Sequence, residues 1–570
     1  VSQTFFSKKG DITMNKIQYE YSRKSTAEVA EFTDNLKASA TTSSGTLDSV
    51  AAHDFISQAS AKVPEKLQAL FDEVGDKSNV IVKQILDGIE VYEAAHGCSV
   101  PADILEQAIH SAYGTTDEAR RKYQLPTLDS ASSNQSDSMS LQPNRAIVAI
   151  MAMMSEAVPW GHYLPADIGS NEARLAILQH QTDTAFGAYG PNALLDGTHS
   201  GDAYISSSRM HKCDIDASGA ISGKITAIQS DAETCAPDGA VTVLLRGCSI
   251  VYVNGQVAAR EVENTGSGNS AVSGSIKVAN VTYAIAGVIN TDTGVIALTT
   301  TPAMPAGIPV LVEAFIDFER NPSLTPKIIT SVNVFKLRAN PWRVYTQQTI
   351  DSRTQMANEL GLDPYSESVF GIQQQFANER HYKVLGMAMR LAQNNVEKYD
   401  FGWAAGSMAQ KTRAMIFQDF ATPLGAVDQQ MAIDTMNHGI THLYVGKFVA
   451  AMMLSMPSTQ FKPSGIPARA GIYRVGKLFG RFDVYYAPKI IPESIVDGHQ
   501  AASVLCVGRS TDVTRSAVVL GDAVAPSVIP LAVNADLKTG AGFYARSFTC
   551  VNPHAPSSLG CALINITNLT

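Results

Sequence analysis

The sequence predicts an α+β chain with an all-β module inserted into it, and three observations carry that prediction. Between Leu47 and about Tyr123, apolar residues recur at helical spacing. From about Ser206 to Arg320 the pattern changes to short alternating runs separated by turn pairs. A helical stretch of about 31 residues, 364–394, then leads into helix-like segments that alternate with strands.

Residues 1–48 are polar, rich in Ser and Thr and without sustained periodicity, which predicts an extended arm ordered only against a partner. The region 49–123 is helical. Val63, Leu67, Leu70, Phe71 and Val74 keep a 3.6 period after Pro64 and stop at Gly75; Val80, Ile81, Ile85, Leu86 and Ile89 mark the next helix, and Pro101 opens another. "QLPTLDSASSNQSDSMSLQP" (124–143) has linker composition and separates this region from a segment at 144–205. In the β-rich insertion, 206–333, Asn254-Gly255 between Val251-Tyr252-Val253 and Val257 is a two-residue hairpin signal, and "VINTDTGVIAL" repeats the device with Gly294. No repeat of fixed period is present.

After the insertion, 346–360 reads as helix ending at Gly361, and Asp363-Pro364 supplies an N-cap and a first-turn proline for the long helix 364–394. Val369, Ile372, Phe376, Val384, Met387 and Leu391 lie on one face of it, over about 46 Å at the helical rise. Beyond it, helices are expected at 427–437 and 447–455, and strands at 441–446, 472–475, 481–487, 502–507 and 517–520.

A chain of 570 residues and 60.9 kDa has room for three or four domains. Only 17% of its residues are charged, against about 25% in a typical soluble protein, which points to surface covered by other copies or partners. A net charge of -9 excludes a basic protein that grips nucleic acid through phosphates, so any contact with DNA should be loose. Cys98, Cys213, Cys235, Cys248, Cys506, Cys550 and Cys561 form no CxxC pair, which argues against a zinc site or a disulfide scaffold and for free thiols. The longest apolar run, Ala146–Met154, is about half a bilayer crossing, so no membrane partner is expected. "VSQTFFSKKGD" lacks the apolar core of a secretory signal, and the first residue is Val1; the expectation is a processed chain, or numbering that starts inside a longer precursor.

Candidate sites are few. Gly471, four residues and Gly476-Lys477 copy the spacing of a phosphate loop, but Leu478 stands where a Ser or Thr is needed and no helix pattern follows. A strand, a bend and a second strand fit better. Asp214-Ile215-Asp216-Ala217-Ser218-Gly219 copies half a calcium loop, yet position 12 is Ile225, so a tight turn is expected. His438 and His442 have metal-like spacing that Gly439 breaks; they read as a helix end and a strand start. "TGSGNS" and "NSAVSGS" suggest a mobile loop tip, and Asn280, Asn565 and Asn568 head sequons that mean nothing without a secretory route. Met151, Met153 and Met154 beside Pro159-Trp160 fit core, with a self-contact as the alternative. No Ser-His-Asp set or carboxylate pair can be assembled, so no catalytic, cofactor-binding or metal residues are assigned and no enzyme is expected.

Three stretches, in order, carry a family resemblance. They are Lys336-Leu337-Arg338-Ala339 leading to Gly361-Leu362-Asp363 and Glu379-Arg380; Val475-Gly476-Lys477-Leu478-Phe479-Gly480-Arg481-Phe482-Asp483-Val484-Tyr485; and "GDAVAPSVIPL" (521–531). Together they resemble the major capsid proteins of tailed phages of the T-even type, a lineage with the Hong Kong 97-type fold. The resemblance covers 334–531, more weakly 155–205, and says little about 1–140 or 206–320. Asn340-Pro341-Trp342 in the lead-in strand, Gln347-Gln348 and Ser527-Val528 depart from the family pattern and suggest a distant relative from a large-genome phage.

That resemblance implies a peripheral domain with a spine helix (334–399), an axial domain (400–520), an extended loop (144–205) and C-terminal strands returning to both domains (521–570). It also implies hexamers and pentamers closing an icosahedral head in the host cytoplasm. The implied partners are other copies of the chain, minor capsid, decoration, vertex or portal proteins, packaged DNA bound without sequence specificity, and a maturation protease. A tail or adhesin-like protein, an encapsulin-type shell and, last, a nucleotide hydrolase are the alternatives.

Overall fold

The computed structural model describes residues 7–40, 49–56, 62–75, 78–116, 119, 122, 146, 149–155, 157–197, 200–227, 241–264, 268–361, 364–402, 411–531, 533 and 536–569. The 124–143 linker therefore lies outside the described residues. Two compact units emerge: 1–177 with 334–570, and 178–333.

The first unit begins with α1 (Ser7–Ala40), a single helix of 34 residues where an extended arm was expected. Val29, Phe32, Leu36 and Ala40 are buried at helical spacing, a stripe that the surrounding polar residues hide in the sequence. α2 (Ser49–Ile56), α3 (Glu65–Val74), α4 (Ser78–His96) and α5 (Ala102–Tyr113) follow. Pro64 and Gly75 bound α3 as expected, with Gly75 at φ +59. Every residue of α5 from Asp103 to Ala112 is buried, so α5 is a core helix.

Residues 149–155 are helical, and Met153, Met154 and Trp160 are buried, which settles the methionine cluster as core. β1 (His162–Tyr163) then joins a sheet. The stretch 144–205 divides between the units: its part up to Ile177 belongs to the first, and from Leu178 it belongs to the second. β2 (Glu172–Thr182) and β11 (Ile328–Arg338) pair with each other.

The second unit is built around a closed barrel, in the order β10-β3-β4-β9-β8-β7-β6-β5. Its strands are β3 (Ser208–Ile215), β4 (Ala220–Lys224), β5 (Ile250–Val253), β6 (Gln256–Asn264), β7 (Asn269–Val278), β8 (Val281–Asn290), β9 (Val295–Thr301) and β10 (Val310–Phe315). Asn254 and Gly255 turn between β5 and β6 at φ +48 and +76, as the hairpin signal predicted. "NSAVSGS" is strand, part of β7, and no loop tip: Gly274 sits so close to the backbone of β6 that a side chain would collide there. The unit starts at 178, earlier than the predicted 206, because Phe186, Tyr189 and Tyr204 pack with Ala227 and Ile316.

Back in the first unit, β12 (Asn340–Thr349) runs on to residue 349, where helix was expected from 346, because Thr346–Thr349 pair with a neighbouring strand. α6 (Ile350–Leu360) and α7 (Pro364–Leu391) follow, with α7 closed by a 3-10 turn at Ala392–Asn394. Phe376 and Val384 are buried on its predicted face. The remaining chain supplies β13 (Val396–Asp400), α8 (Arg413–Asp419), α9 (Ala421–Thr435), β14 (His442–Val445), α10 (Lys447–Leu454), β15 (Phe461–Pro463), β16 (Tyr473–Leu478), β17 (Phe482–Tyr486), β18 (Glu493–Val496) and β19 (His499–Val507). β20 (Val518–Leu531), β21 (Lys538–Val551) and β22 (Cys561–Thr567) complete it. Two sheets organise this part: β1-β20-β21-β12, and β13-β22-β19-β14-β17-β16-β15 with β18 on β19.

Candidate self-association surface

α7 packs on β21, and the sheet beneath it ends at β12. Trp342, Val344, Tyr345 and Thr346 are strand-forming residues, and Pro341 is tolerated because β12 is an edge. From Asn340 to Thr349, β12 pairs residue for residue with Ser547 to Lys538. Among the described residues no strand pairs with its other side, which leaves a row of peptide groups open over a length of ten residues. Val344 and Tyr345 are 46% and 69% exposed on that strand.

The inner side of β12 is held firmly. Phe376 of α7 meets the Trp342 ring edge-on at 5.2 Å and the Phe543 ring at 5.1 Å, and Lys383 Nζ sits 5.2 Å over Trp342. Gln348 Nε2 donates to Pro364 O at 2.9 Å and to Ser368 Oγ at 3.0 Å, which ties the start of α7 to the strand. Between strand and helix lies a groove of about 570 Å³ lined by Trp342, Val344, Thr346, Ser368, Ile372 and Phe376. Exposed apolar side chains continue nearby: Ile350 and Met356 on α6, Phe370 on α7, Val533 and Leu537 after β20. The Ile350 N–H donates to Leu537 O, so these segments adjoin. An open, apolar, rigidly backed edge is suited to strand addition or to covering by another chain.

The residues weighed in the sequence fall elsewhere. Lys477 lies on β16, paired with Asp483 on one side and Lys462 on the other, and Phe479 and Gly480 turn directly into β17. The strand, bend and strand reading holds. Asp216 Oδ1 accepts from the N–H of Ser218 and of Ala220 and from Ser218 Oγ, closing the expected tight turn between β3 and β4. α9 ends at Thr435, Met436 takes a left-handed φ of +57, and His442 opens β14, so the two histidines share no helix. Among the described residues no three His, Cys, Asp or Glu gather as metal ligands, and no helix is long and apolar enough to cross a membrane. Sequence reasoning missed the β12 edge; the alternation around Trp342 and Val344 was its signal.

No sequence relative identifies the chain: no family model and no curated protein matches it. Among solved structures it is similar to the capsid of jumbo bacteriophage PhiKZ, at 8% identity and a TM-score of 0.35 over 71% of this chain and 91% of that one. It is also similar to a structure from Microbacterium phage Oxtober96, at 14% identity and a TM-score of 0.28 over 42% and 77%. The SrpI encapsulin of Synechococcus elongatus gives 12% and 0.26 over the same shares.

Proposed function

We propose that the chain is a shell-forming tile, a major capsid protein that assembles as hexamers and pentamers into an icosahedral head around packaged DNA. The observation that carries this reading is the open β12 edge beside its apolar groove, braced by α7. A ten-residue edge, interrupted near its start by Pro341 and open beyond it, invites pairing with further copies, which proteins that work alone avoid. The three motif stretches of the sequence support it: they fall on β11 to α7, on the β16 and β17 hairpin, and on β20. In this reading α7 is the spine of the peripheral domain, the sheet from β13 to β15 builds the axial domain, and the ribbon of β2 and β11 serves as the extended loop. Each weak contact, repeated many times in a closed lattice, contributes through multivalency. No chemistry of its own is assigned to the chain. The protein resides in the virion, with trimming by a maturation protease; virion protein whose mass begins at an initiator Met would count against that trimming. Electron micrographs and sedimentation of the purified chain test the main claim. Closed particles are expected, and a single small species under all assembly conditions overturns it.

A further inference from the structure

In a chain with 44 Lys and Arg against 53 Asp and Glu, the stretch 447–489 carries seven Lys and Arg and one acid, Asp483. The structure sets six of these seven cations on or beside β15, β16 and β17, at the outer end of the second sheet. Lys462 and Lys477 lie directly opposite each other across β15 and β16, an arrangement that is unfavourable without an anion. Asp483, the acid nearest to them in the pairing, is already held by Arg474 through Nε at 3.0 Å and Nη2 at 2.8 Å. Arg481 is taken by Asp428 at 2.7 Å. Lys447, Lys462, Arg469, Lys477 and Lys489 have no carboxylate partner among the described residues. Two ring contacts lie in the same region: Tyr473 and Tyr486 pair at 5.5 Å, and Lys489 Nζ lies 5.6 Å over Tyr382.

The kind of partner follows from what the face lacks. Between Ser455 and Ser494 no large apolar residue is exposed; Leu454 and Ile495 are the nearest on either side. Protein interfaces rest on a buried apolar or aromatic anchor, whereas polyelectrolyte contacts need only cations that can reach phosphates. From this we infer that the face formed by Lys462, Arg469, Lys477 and Lys489 binds the phosphate backbone of duplex nucleic acid, without reading sequence. The inference deepens the shell reading and rests on it for its setting: this face would be the one turned toward packaged DNA. The net charge of the rest of the chain keeps the contact weak and salt-sensitive.

The test uses the full chain and a fluorescently labelled random-sequence duplex, followed by anisotropy across a salt series. About four phosphate contacts predict a slope of log K against log salt near -3.6, so binding should weaken about a hundredfold between 50 and 200 mM salt. Replacing all four residues (Lys462→Gln, Arg469→Gln, Lys477→Gln, Lys489→Gln) should flatten that slope by roughly one per residue, while Lys224→Gln with Lys277→Gln, on the barrel, should leave it unchanged. Circular dichroism checks that each variant is folded. No binding at 50 mM salt, or an unchanged slope in the quadruple variant, overturns the inference. So does loss of particles in the quadruple variant when the parent chain binds no duplex, the result expected of a contact with an acidic neighbour. Particle formation is scored separately by micrographs of the same samples, so duplex binding by a chain that forms no particles defeats the shell reading alone.

Discussion

Arg380 of α7 places Nη2 3.1 Å from Asp522 Oδ1 on β20, with side-chain exposures of 5% and 1%. The same guanidinium lies 5.5 Å over the Tyr163 ring, so helix, β20 and β1 meet at one buried charge pair. Both residues sit in stretches the sequence singled out, Glu379-Arg380 and Gly521–Leu531, which the fold brings together across 142 positions.

Removing one partner strands the other in the core. Arg380→Met should cost about 3–5 kcal/mol, and Arg380→Met with Asp522→Leu should recover most of that loss. Urea unfolding of the full chain measures both; equal destabilisation by the single and double variants would mean that the pair is not what holds these elements.

Truncating the ring between Trp342 and Phe543 should open a cavity. Phe376 is 4% exposed, so Phe376→Ala should destabilise the first unit by about 3–5 kcal/mol, seen as a lower urea midpoint.

The β12 edge can be blocked without unfolding the chain. Val344 and Tyr345 are exposed, so Val344→Lys with Tyr345→Glu should change stability by about 0.5 kcal/mol or less while abolishing particles in sedimentation velocity. Particles of normal yield would show that assembly does not use this edge.

Burial keeps several histidines neutral. It pushes His96 and His438 down to about 4, and His110 and His442 down to about 3. The unfolded chain takes up these protons near the ordinary 6.5, the folded chain only near 3 to 4, so in that window the unfolded state binds more protons. Stability should therefore fall as pH drops from about 6.5 toward 4, and the loss should continue to about 3. The limiting contribution of His442 alone is on the order of 5 kcal/mol. His442→Gln should flatten the decline in a series of urea midpoints from pH 7 to pH 4.

The barrel has its own core and closes its own ladder, with β10 paired to both β3 and β5. Excised residues 178–333 should fold alone and unfold in one cooperative step, read by circular dichroism.

Local signals were the legible ones. Pro64 and Gly75 bounded a helix, and Asn254-Gly255 made its hairpin, because both act within a few residues. What depends on distant partners was hidden. Gln347-Gln348-Thr349 suits a helix and became strand only because β21 lies alongside. The α1 stripe from Val29 to Ala40 is diluted by charged neighbours and shows only once α5 packs against it. Closure of the barrel could not be read at all, since pairing of β3 with β10 joins residues about a hundred positions apart. The basic face was masked by a negative total, a sum that says nothing about how charge is distributed.

The fully buried helix α5 has a further consequence for how the chain is made. Asp103 reaches Arg509 across 406 positions, and His162 and the Tyr163 N–H also use its carboxylate. At synthesis rates of about 5–20 residues per second, α5 leaves the ribosome roughly 20–80 s before Arg509 exists. Through that interval α1 and α3 already flank the helix, while the side that β1 and β20 later cover stays open.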